Sequence, residues 1–195
     1  PGIDFNISEQ LELIKQFSFR DELSQFSLIK DGISNFYYHN WSYPPGDSEF
    51  LYSIIRLKKP KRIIEIWSGN STLMVINAIK KNQELYNDYT CLHTCIEPYE
   101  QSMLEETGVV VMRERLEDID RSIFSSLQEN DILFIDSSHI IRPGWDVLIE
   151  YLEFLPILNP WVLVHIHDIF TPNHYPTQWT REGVSFWNEQ YLVEA

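Results

Sequence analysis

Glycine is scarce in this chain, and tryptophan is abundant. The 195 residues include 7 glycines and 6 tryptophans, whereas an average glycine usage of ~7% would give about 13–14 glycines. Hydrophobic residues make up 44% and charged residues 23%, which excludes a disordered or coiled-coil chain. Apart from its few glycines, the composition is therefore that of an ordinary globular protein.

Basic residues are also few. Lys and Arg number 15 against 29 Asp and Glu, which gives a formal net charge of -14. An acidic chain without a basic block is poorly suited to bind nucleic acid or an anionic membrane surface. We expect neither of these partners and instead expect a small-molecule substrate, and a homo-oligomer stays open.

Long apolar runs and a secretion signal are absent from the sequence. No stretch approaches the ~20 apolar residues of a membrane span, and PGIDFNISEQ lacks the basic and apolar segments of a signal peptide. Cys91 and Cys95 are four residues apart, which on a strand puts them ~13 Å apart, too far for a disulfide. We expect reduced thiols and a cytoplasmic location.

A turn cluster, YPPGD at 43–47, divides the chain. Apolar positions spaced through 8–31 predict one or two short amphipathic helices, so residues 1–42 are expected to form a helical extension. Residues 43–195 have the length of one domain. Within them, strands are predicted at 63–67, 90–97, 109–112, 131–136 and 161–170.

Helical segments separate these strands, which predicts an α/β domain with a parallel sheet covered on both faces. Ligands in such sheets bind beyond the carboxyl ends of the strands. The residues that follow each strand are therefore the candidates for function.

Candidate cofactor residues follow the first three strands. The first is followed by the small polar turn 68–71, whose backbone N–H groups a ligand can approach, although an ordinary turn with Ser71 as helix cap explains it slightly better. The second ends at Glu97, a carboxylate able to accept both hydrogen bonds of a ribose diol. After the third, Glu117 and Asp118 either face an adenine or are simply acids at a helix start.

The fourth and fifth strands are followed by carboxylates and histidines. Asp136 and His139 follow the fourth strand, and His167 and Asp168 end the fifth. Carboxylates and imidazoles at adjacent strand ends form a divalent-metal site or a general acid–base pair. We assign His165 to the core and favour function for Asp136, His139 and Asp168.

In order and spacing, these segments resemble class I S-adenosylmethionine-dependent methyltransferases over about residues 43–195. IIEIWSGNST resembles the first motif, CIEPYE the second-strand acidic motif, and DILFIDSSH and LVHIHDIF the fourth- and fifth-strand motifs. FWNEQYL is similar to a segment of a subgroup related to macrolide-sugar O-methyltransferases and cephalosporin-hydroxylase-like proteins. The resemblance implies a Rossmann-like, doubly wound, three-layer αβα fold with a mostly parallel sheet.

The resemblance also implies roles for the residues at the strand ends. S-adenosylmethionine would be bound by Glu65, Ser68, Gly69, Asn70, Ser71, Glu97 and Glu117. By similarity to catechol-type relatives, Asp136, His167 and Asp168 would hold Mg²⁺ or another divalent metal, and His139 with Asp136 would be catalytic. Those relatives have an Asp-Asn pair in place of His167 and Asp168 and a lysine in place of His139, which leaves open whether a metal is bound and which one. The implied reaction transfers a methyl group to a hydroxyl of a sugar or another metabolite.

The chain departs from the family in two ways. The relatives end with an antiparallel pair of strands, for which residues up to Ala195 offer no candidate, so we expect these strands to be missing and the chain to be a fragment. Trp67 replaces a glycine of the cofactor loop, where an indole would fill the site or be forced outward. The alternative is therefore a non-catalytic binding or scaffold module. An NAD-type oxidoreductase is disfavoured because the third loop glycine is missing.

Three tryptophans stand where relatives usually carry glycine: Trp67, Trp145 and Trp161. Trp179 and Trp187, by contrast, lie where the subgroup commonly carries tryptophan. Our hypothesis is that the source reads UGA as glycine while this sequence was translated with UGA as tryptophan. It predicts UGA codons and positive φ angles at the three glycine-like positions.

Overall fold

A five-stranded parallel sheet forms the centre of the computed structural model, which describes residues 4–195. The strand order is β3-β2-β1-β4-β5. The strands are β1 Arg62–Ile66, β2 Leu92–Ile96, β3 Val110–Met112, β4 Ile132–Ile135 and β5 Leu163–Ile166. The predicted α/β class is confirmed, and within residues 4–195 no antiparallel strand follows β5.

Helices precede the sheet and connect its strands. Among the residues that the structure describes, two α-helices lie in the N-terminal segment and seven in the remainder: α1 Ile7–Ile14, α2 Arg20–Leu23, α3 Asp47–Lys58, α4 Asn70–Leu85, α5 Ser102–Glu105, α6 Ser122–Ser125, α7 Asp146–Ile149, α8 Thr177–Arg181 and α9 Gln190–Val193. Helix α7 continues as a π-helical turn, Glu150–Phe154. After β5, α8 and α9 are separate helices, because residues 184–188 between them have no regular structure.

Each face of the sheet buries its own hydrophobic cluster. On one face, Ile63 and Phe134 pack with side chains of α3 and α4, such as Ile55 and Met74. On the other face, the cluster consists of Ile64, Ile66, Ile96, Leu116, Ile119, Phe124, Leu127, Leu133, Ile135 and Phe154. The alternation of side chains along each buried strand thus produces the three layers that the sequence predicted.

The N-terminal segment packs against the first of these clusters. Phe36 and Tyr38 are buried in it, and Phe17 and Phe26 pack against it. The boundary at residue 42 stays a prediction, because the segment shares its core with the rest of the chain.

Two features that the sequence is predicted to lack, a disulfide bond and a membrane-spanning segment, can be compared with the structure. Cys91 and Cys95 are both free thiols. Within residues 4–195, none of the helices is long and apolar enough to cross a membrane.

Several tryptophans have backbone angles that favour glycine. Trp67 has a φ of 61° and Trp161 a φ of 68°, as the decoding hypothesis predicts. The expectation is wrong for Trp145, whose φ is -108°, since the positive angle there belongs to Gly144 at 71°. Trp41, which the sequence analysis did not single out, has a φ of 63°. A bulky residue is a rare outlier in this region of backbone space, which costs it ~1–3 kcal/mol.

Candidate functional site

Two cavities lie at the carboxyl edge of the sheet. The first has a volume of about 590 Å³ and is lined by the whole turn between β1 and α4. Four residues predicted to bind a cofactor are in that lining: Ser68, Gly69, Asn70 and Ser71. A volume of this size is ordinary for a cofactor site.

The turn is held by side chains of the first helical residues. The backbone N–H of Gly69 donates to Oγ1 of Thr72 at 3.0 Å, and Nδ2 of Asn70 donates to Oγ of Ser42 at 2.7 Å. Ser71 donates to the carboxylate of Glu65, which is fully buried. Glu65 therefore acts on the turn through Ser71 and does not itself line the cavity.

Glu97 at the end of β2 lies beneath the same turn and is 1% exposed. Its carboxylate accepts hydrogen bonds from the N–H of Ser68 at 3.2 Å and of Tyr99 at 2.9 Å. Nε2 of Gln101 donates to it at 2.9 Å. Because Gln101 also lines the cavity, a ligand diol reaches Glu97 only by displacing this amide.

Glu117 lies elsewhere. It forms an ion pair with Arg115 at 2.6 Å, and it is not among the described residues that line the first cavity. Partial burial would raise the pKa of Glu117, but the hydrogen bond and charge of Arg115, together with a backbone hydrogen bond, lower it overall. The structure thus groups the turn with Glu97 and leaves Glu117 apart from them.

The second cavity has a volume of about 800 Å³ and aromatic walls. Its described lining includes Phe170, Trp179 and Trp187, together with the strand-end residues Asp136 and His139. The two cavities share Ser42, Trp67 and Asp136. The indole of Trp67 thus stands where the cavities meet.

Asp136, His139 and Asp168 converge at this junction. Nε2 of His139 lies 3.2 Å from Oδ1 of Asp136 and 3.8 Å from Oδ2 of Asp168. One ligand atom from each residue lies within 4.8 Å of the other two. These three side chains have the composition and spacing to hold a divalent ion or to move a proton.

The two histidines of β5 have different surroundings. His167 is 6% exposed, its Nε2 lies 3.7 Å from Oδ1 of Asp168, and its ring packs against Tyr43. The ring of His165 lies 4.6 Å from that of Phe134. Burial, together with the charge of His167, lowers the pKa of His165 to about 4, so His165 is neutral at pH 7.

His139 and Asp168 both have backbone angles that are uncommon for their residue type. Their φ values are 58° and 55°. Such outliers are enriched at functional sites, where the surrounding structure holds the strain. The two residues that meet across the strand ends are thus also two of the strained ones.

Sequence reasoning missed Glu189, which holds the other side of the His139 ring. Its carboxylate is fully buried and its Oε2 lies 2.8 Å from Nδ1 of His139. The hydroxyl of Tyr151 donates to its Oε1 at 2.7 Å, and the ring of Trp187 lies 4.2 Å from that of His139. FWNEQYL was the available signal, but no spacing in the sequence links residue 189 to residue 139.

The charge of His139 follows from its two carboxylate partners. Burial would lower its pKa, but hydrogen bonds to Asp136 and Glu189 outweigh this and raise the pKa to about 10. In this arrangement His139 is an imidazolium at neutral pH, held between the two carboxylates. Desolvation raises the pKa of Asp168, which His167 and His139 partly oppose.

Comparison with known proteins gives two matches. A family model described as a methyltransferase domain matches residues 64–169. This range contains the turn 68–71 and the three converging residues Asp136, His139 and Asp168. An uncharacterized protein of Archaeoglobus fulgidus is 30% identical over 139 residues, which cover 67% of this chain and 61% of that protein. No solved structure matches the chain.

Proposed function

Because more than half of it matches that family model, this chain belongs to a family of methyltransferase domains, and we propose that it transfers a methyl group from S-adenosylmethionine to a hydroxyl of a small molecule. The observation that carries the proposal is the junction of two cavities at Asp136 and Trp67. Methyl transfer needs the sulfonium, the methyl group and the acceptor oxygen in line, and two adjoining cavities supply separate places for donor and acceptor.

The first cavity is the proposed donor site. The turn 68–71 stands at the start of α4, where polar groups of a ligand bind well, although the N–H groups of Ser68 and Gly69 already donate to Glu97 and Thr72. Glu97 is the proposed ribose partner, since it lies directly beneath Ser68. Glu117 is assigned to the adenine end only by family resemblance, and its ion pair with Arg115 argues for a purely local role.

The second cavity is the proposed acceptor site, and its aromatic walls suit a ring such as a sugar or a phenol. His139 is the proposed base. Its Nδ1 is fixed by Glu189 while its Nε2 faces Asp136 and Asp168. Because Nε2 carries a proton at neutral pH, His139 must first lose that proton to solvent before Nε2 can accept the proton of the hydroxyl.

Asp136 and Asp168 fit a divalent ion such as Mg²⁺ or Mn²⁺, because their two carboxylates converge next to His139. Asp136 and Asp168 would hold it, and the place of His167 behind Asp168 makes that side chain a support for the ligand. When bound, such an ion supplies positive charge that offsets the two carboxylates and polarises an acceptor hydroxyl. An ion held by Asp136 would also weaken the hydrogen bond that raises the pKa of His139, and so would favour loss of the Nε2 proton to solvent.

The test compares the chain as written with Trp67→Gly. We expect Trp67→Gly to bind S-adenosylmethionine in calorimetry and to release S-adenosylhomocysteine with a panel of sugar and phenol acceptors. Adding His139→Ala should keep cofactor binding and reduce turnover about 10²–10⁴-fold, the usual contribution of a positioned base. If neither protein binds the cofactor, the proposal is wrong.

A non-catalytic binding module is the second candidate, and the observation that favours it is the position of Trp67. The indole lines both cavities and packs against Tyr99 with ring centroids 6.0 Å apart. If Trp67→Gly binds S-adenosylmethionine without turning over any acceptor, this candidate is preferred. If the Trp67→Gly variant binds S-adenosylmethionine and the protein with Trp67 does not, the indole of Trp67 is what prevents binding.

A further inference from the structure

A second group of potential metal ligands lies inside the sheet, away from the proposed acceptor site. Glu65 on β1 and Cys95 on β2 are register partners, and His93 precedes Cys95 by two residues on the same face of β2. Glu65 and Cys95 are fully buried, and His93 is 6% exposed. The parallel pairing of two adjacent strands thus fixes three ligand-type side chains at one point.

Two of the three distances within this group match those around a tetrahedral zinc ion, and the third, from His93 to Glu65, is about 0.3 Å shorter. Nε2 of His93 lies 3.0 Å from Oε2 of Glu65. Sγ of Cys95 lies 3.6 Å from that oxygen and 3.6 Å from Nε2 of His93. Zinc bonds of about 2.0–2.3 Å in a tetrahedron separate their ligand atoms by about 3.3–3.6 Å.

We propose that Glu65, His93 and Cys95 bind a structural zinc ion beneath the turn between β1 and α4. One carboxylate and one thiolate together offset the charge of Zn²⁺, and the neutral imidazole completes a borderline-soft donor set that this ion favours. Binding forms a sulfur–zinc bond and releases the thiol proton to solvent.

The buried Oγ of Ser68 has no hydrogen-bond partner among the described residues and lies near the thiol of Cys95. We assign it no bond to the zinc ion, because the side chains that bind zinc are cysteine, histidine and carboxylates; a water molecule held by this hydroxyl would complete the tetrahedron. Without an ion, Glu65, His93 and Cys95 form a hydrogen-bonded cluster. Zinc at this point would fix Glu65 and, through it, Ser71, and so the shape of the proposed donor site.

The test measures metal content in the full chain expressed with added zinc and then washed with a weak chelator. We expect about one zinc per chain in the unaltered protein and in Cys91→Ser, whose cysteine is the other free thiol. Cys95→Ser should lose the zinc. The double change Asp136→Asn with Asp168→Asn should keep it, so the result does not depend on the proposed methyl transfer.

Cobalt substitution provides a second measurement, and its main signal comes from the unaltered protein, so it does not depend on whether a variant folds. Co²⁺ bound here should give the intense near-ultraviolet absorption of a thiolate–cobalt bond, absent from Cys95→Ser. If the unaltered protein contains no zinc and shows no such absorption with cobalt, the proposal is wrong, and Glu65, His93 and Cys95 form only a hydrogen-bonded cluster. Equal zinc in Cys95→Ser and the unaltered chain would overturn it as well.

Discussion

The carboxylate of Glu189 lies 2.8 Å from Nδ1 of His139, although fifty residues separate the two in sequence. The contact is reinforced by the backbone, since the N–H of Asn188 donates to the carbonyl of His139 at 2.9 Å. Glu189 thereby places a proton on Nδ1 and directs Nε2 toward the acceptor cavity. The segment after α8 thus completes a site that the strand ends begin.

Replacing Glu189 by Gln should alter the orientation of His139 and lower stability. The change removes a charge-assisted hydrogen bond to a buried imidazole, which contributes about 2 kcal/mol to the free energy of unfolding. Nitrogen NMR of the imidazole should show that Nδ1 no longer carries the proton in the whole population. In Trp67→Gly protein, turnover should fall while the Kd for S-adenosylmethionine stays constant.

Glu182→Gln is the matched control, because Glu182 is exposed at the end of α8. It should change neither the NMR signals of His139 nor the free energy of unfolding. Glu189→Asp, which keeps the charge, should recover part of the turnover. Equal turnover in the proteins with Gln and with Glu at position 189 would show that the contact with His139 contributes to stability and not to the reaction.

Backbone angles at tryptophan predict an unusual effect of Trp161→Gly. Trp161 is 78% exposed and has a φ of 68°, so the change relieves strain and removes little packing. We expect the free energy of unfolding to rise by about 1 kcal/mol, since an L-residue in this region costs ~1–2 kcal/mol. Denaturant unfolding measures it.

Trp145→Gly is the corresponding control. Its φ of -108° is ordinary for any residue, and its ring lies 4.6 Å from the guanidinium of Arg142. Glycine here adds backbone freedom and removes that contact, so the free energy of unfolding should fall by about 0.5–1 kcal/mol. A stabilising Trp145→Gly would contradict the assignment of strain to positive φ alone.

The codons of the source organism's gene provide a separate prediction about the same positions. The angles at Trp41, Trp67 and Trp161 favour glycine, so we expect UGA codons there and UGG at Trp179 and Trp187. Mass spectrometry of the natural protein should then find glycine at the first three positions. UGG codons at 41, 67 and 161 would refute the decoding hypothesis, whatever the effect of the variants on stability.

The five strands were predictable because buried β-branched runs such as IIEI and ILFI stand between polar turns. The first predicted strand is shifted by one residue, and the other four are too long by one to six residues in total, since apolar residues such as Trp161 and Phe170 continue beyond the hydrogen-bonded ladder. The structure of the C-terminal segment after α8 was less predictable. Residues 184–188 have no regular structure, and within them Trp187 and Asn188 contact His139 and Ile141 through interactions that no local pattern encodes.

The candidate site was predictable only to the extent that strand ends converge. Parallel strands bring Asp136, His139 and Asp168 to one edge whatever their rotamers are. Which histidine turns toward the carboxylates depends on packing: Tyr43 contacts the ring of His167, while Glu189 orients His139. A sequence without spatial information cannot distinguish the two.

Acid stability should depend on the ion pair that joins α2 to α3. The carboxylate of Glu22 accepts from Nε and Nη2 of Arg56 at 2.8 and 2.9 Å, and Arg56 is 4% exposed. The hydrogen bond from Arg56 lowers the pKa of Glu22 below its usual 4.5. A carboxylate with a lowered folded-state pKa adds stability above about pH 4.5, and that stability is lost as the pH falls through the folded-state pKa.

Glu22→Gln should therefore lower the free energy of unfolding at pH 7 by about 2 kcal/mol and flatten its decline below about pH 4.5. Denaturant unfolding between pH 7 and pH 3 measures both effects. Glu12→Gln is the control, because Glu12 pairs with Lys15 at a site where both side chains are more than two-thirds exposed, and such pairs contribute little. Parallel pH profiles for Glu22→Gln and the unaltered chain would show that Arg56 does not depend on this carboxylate.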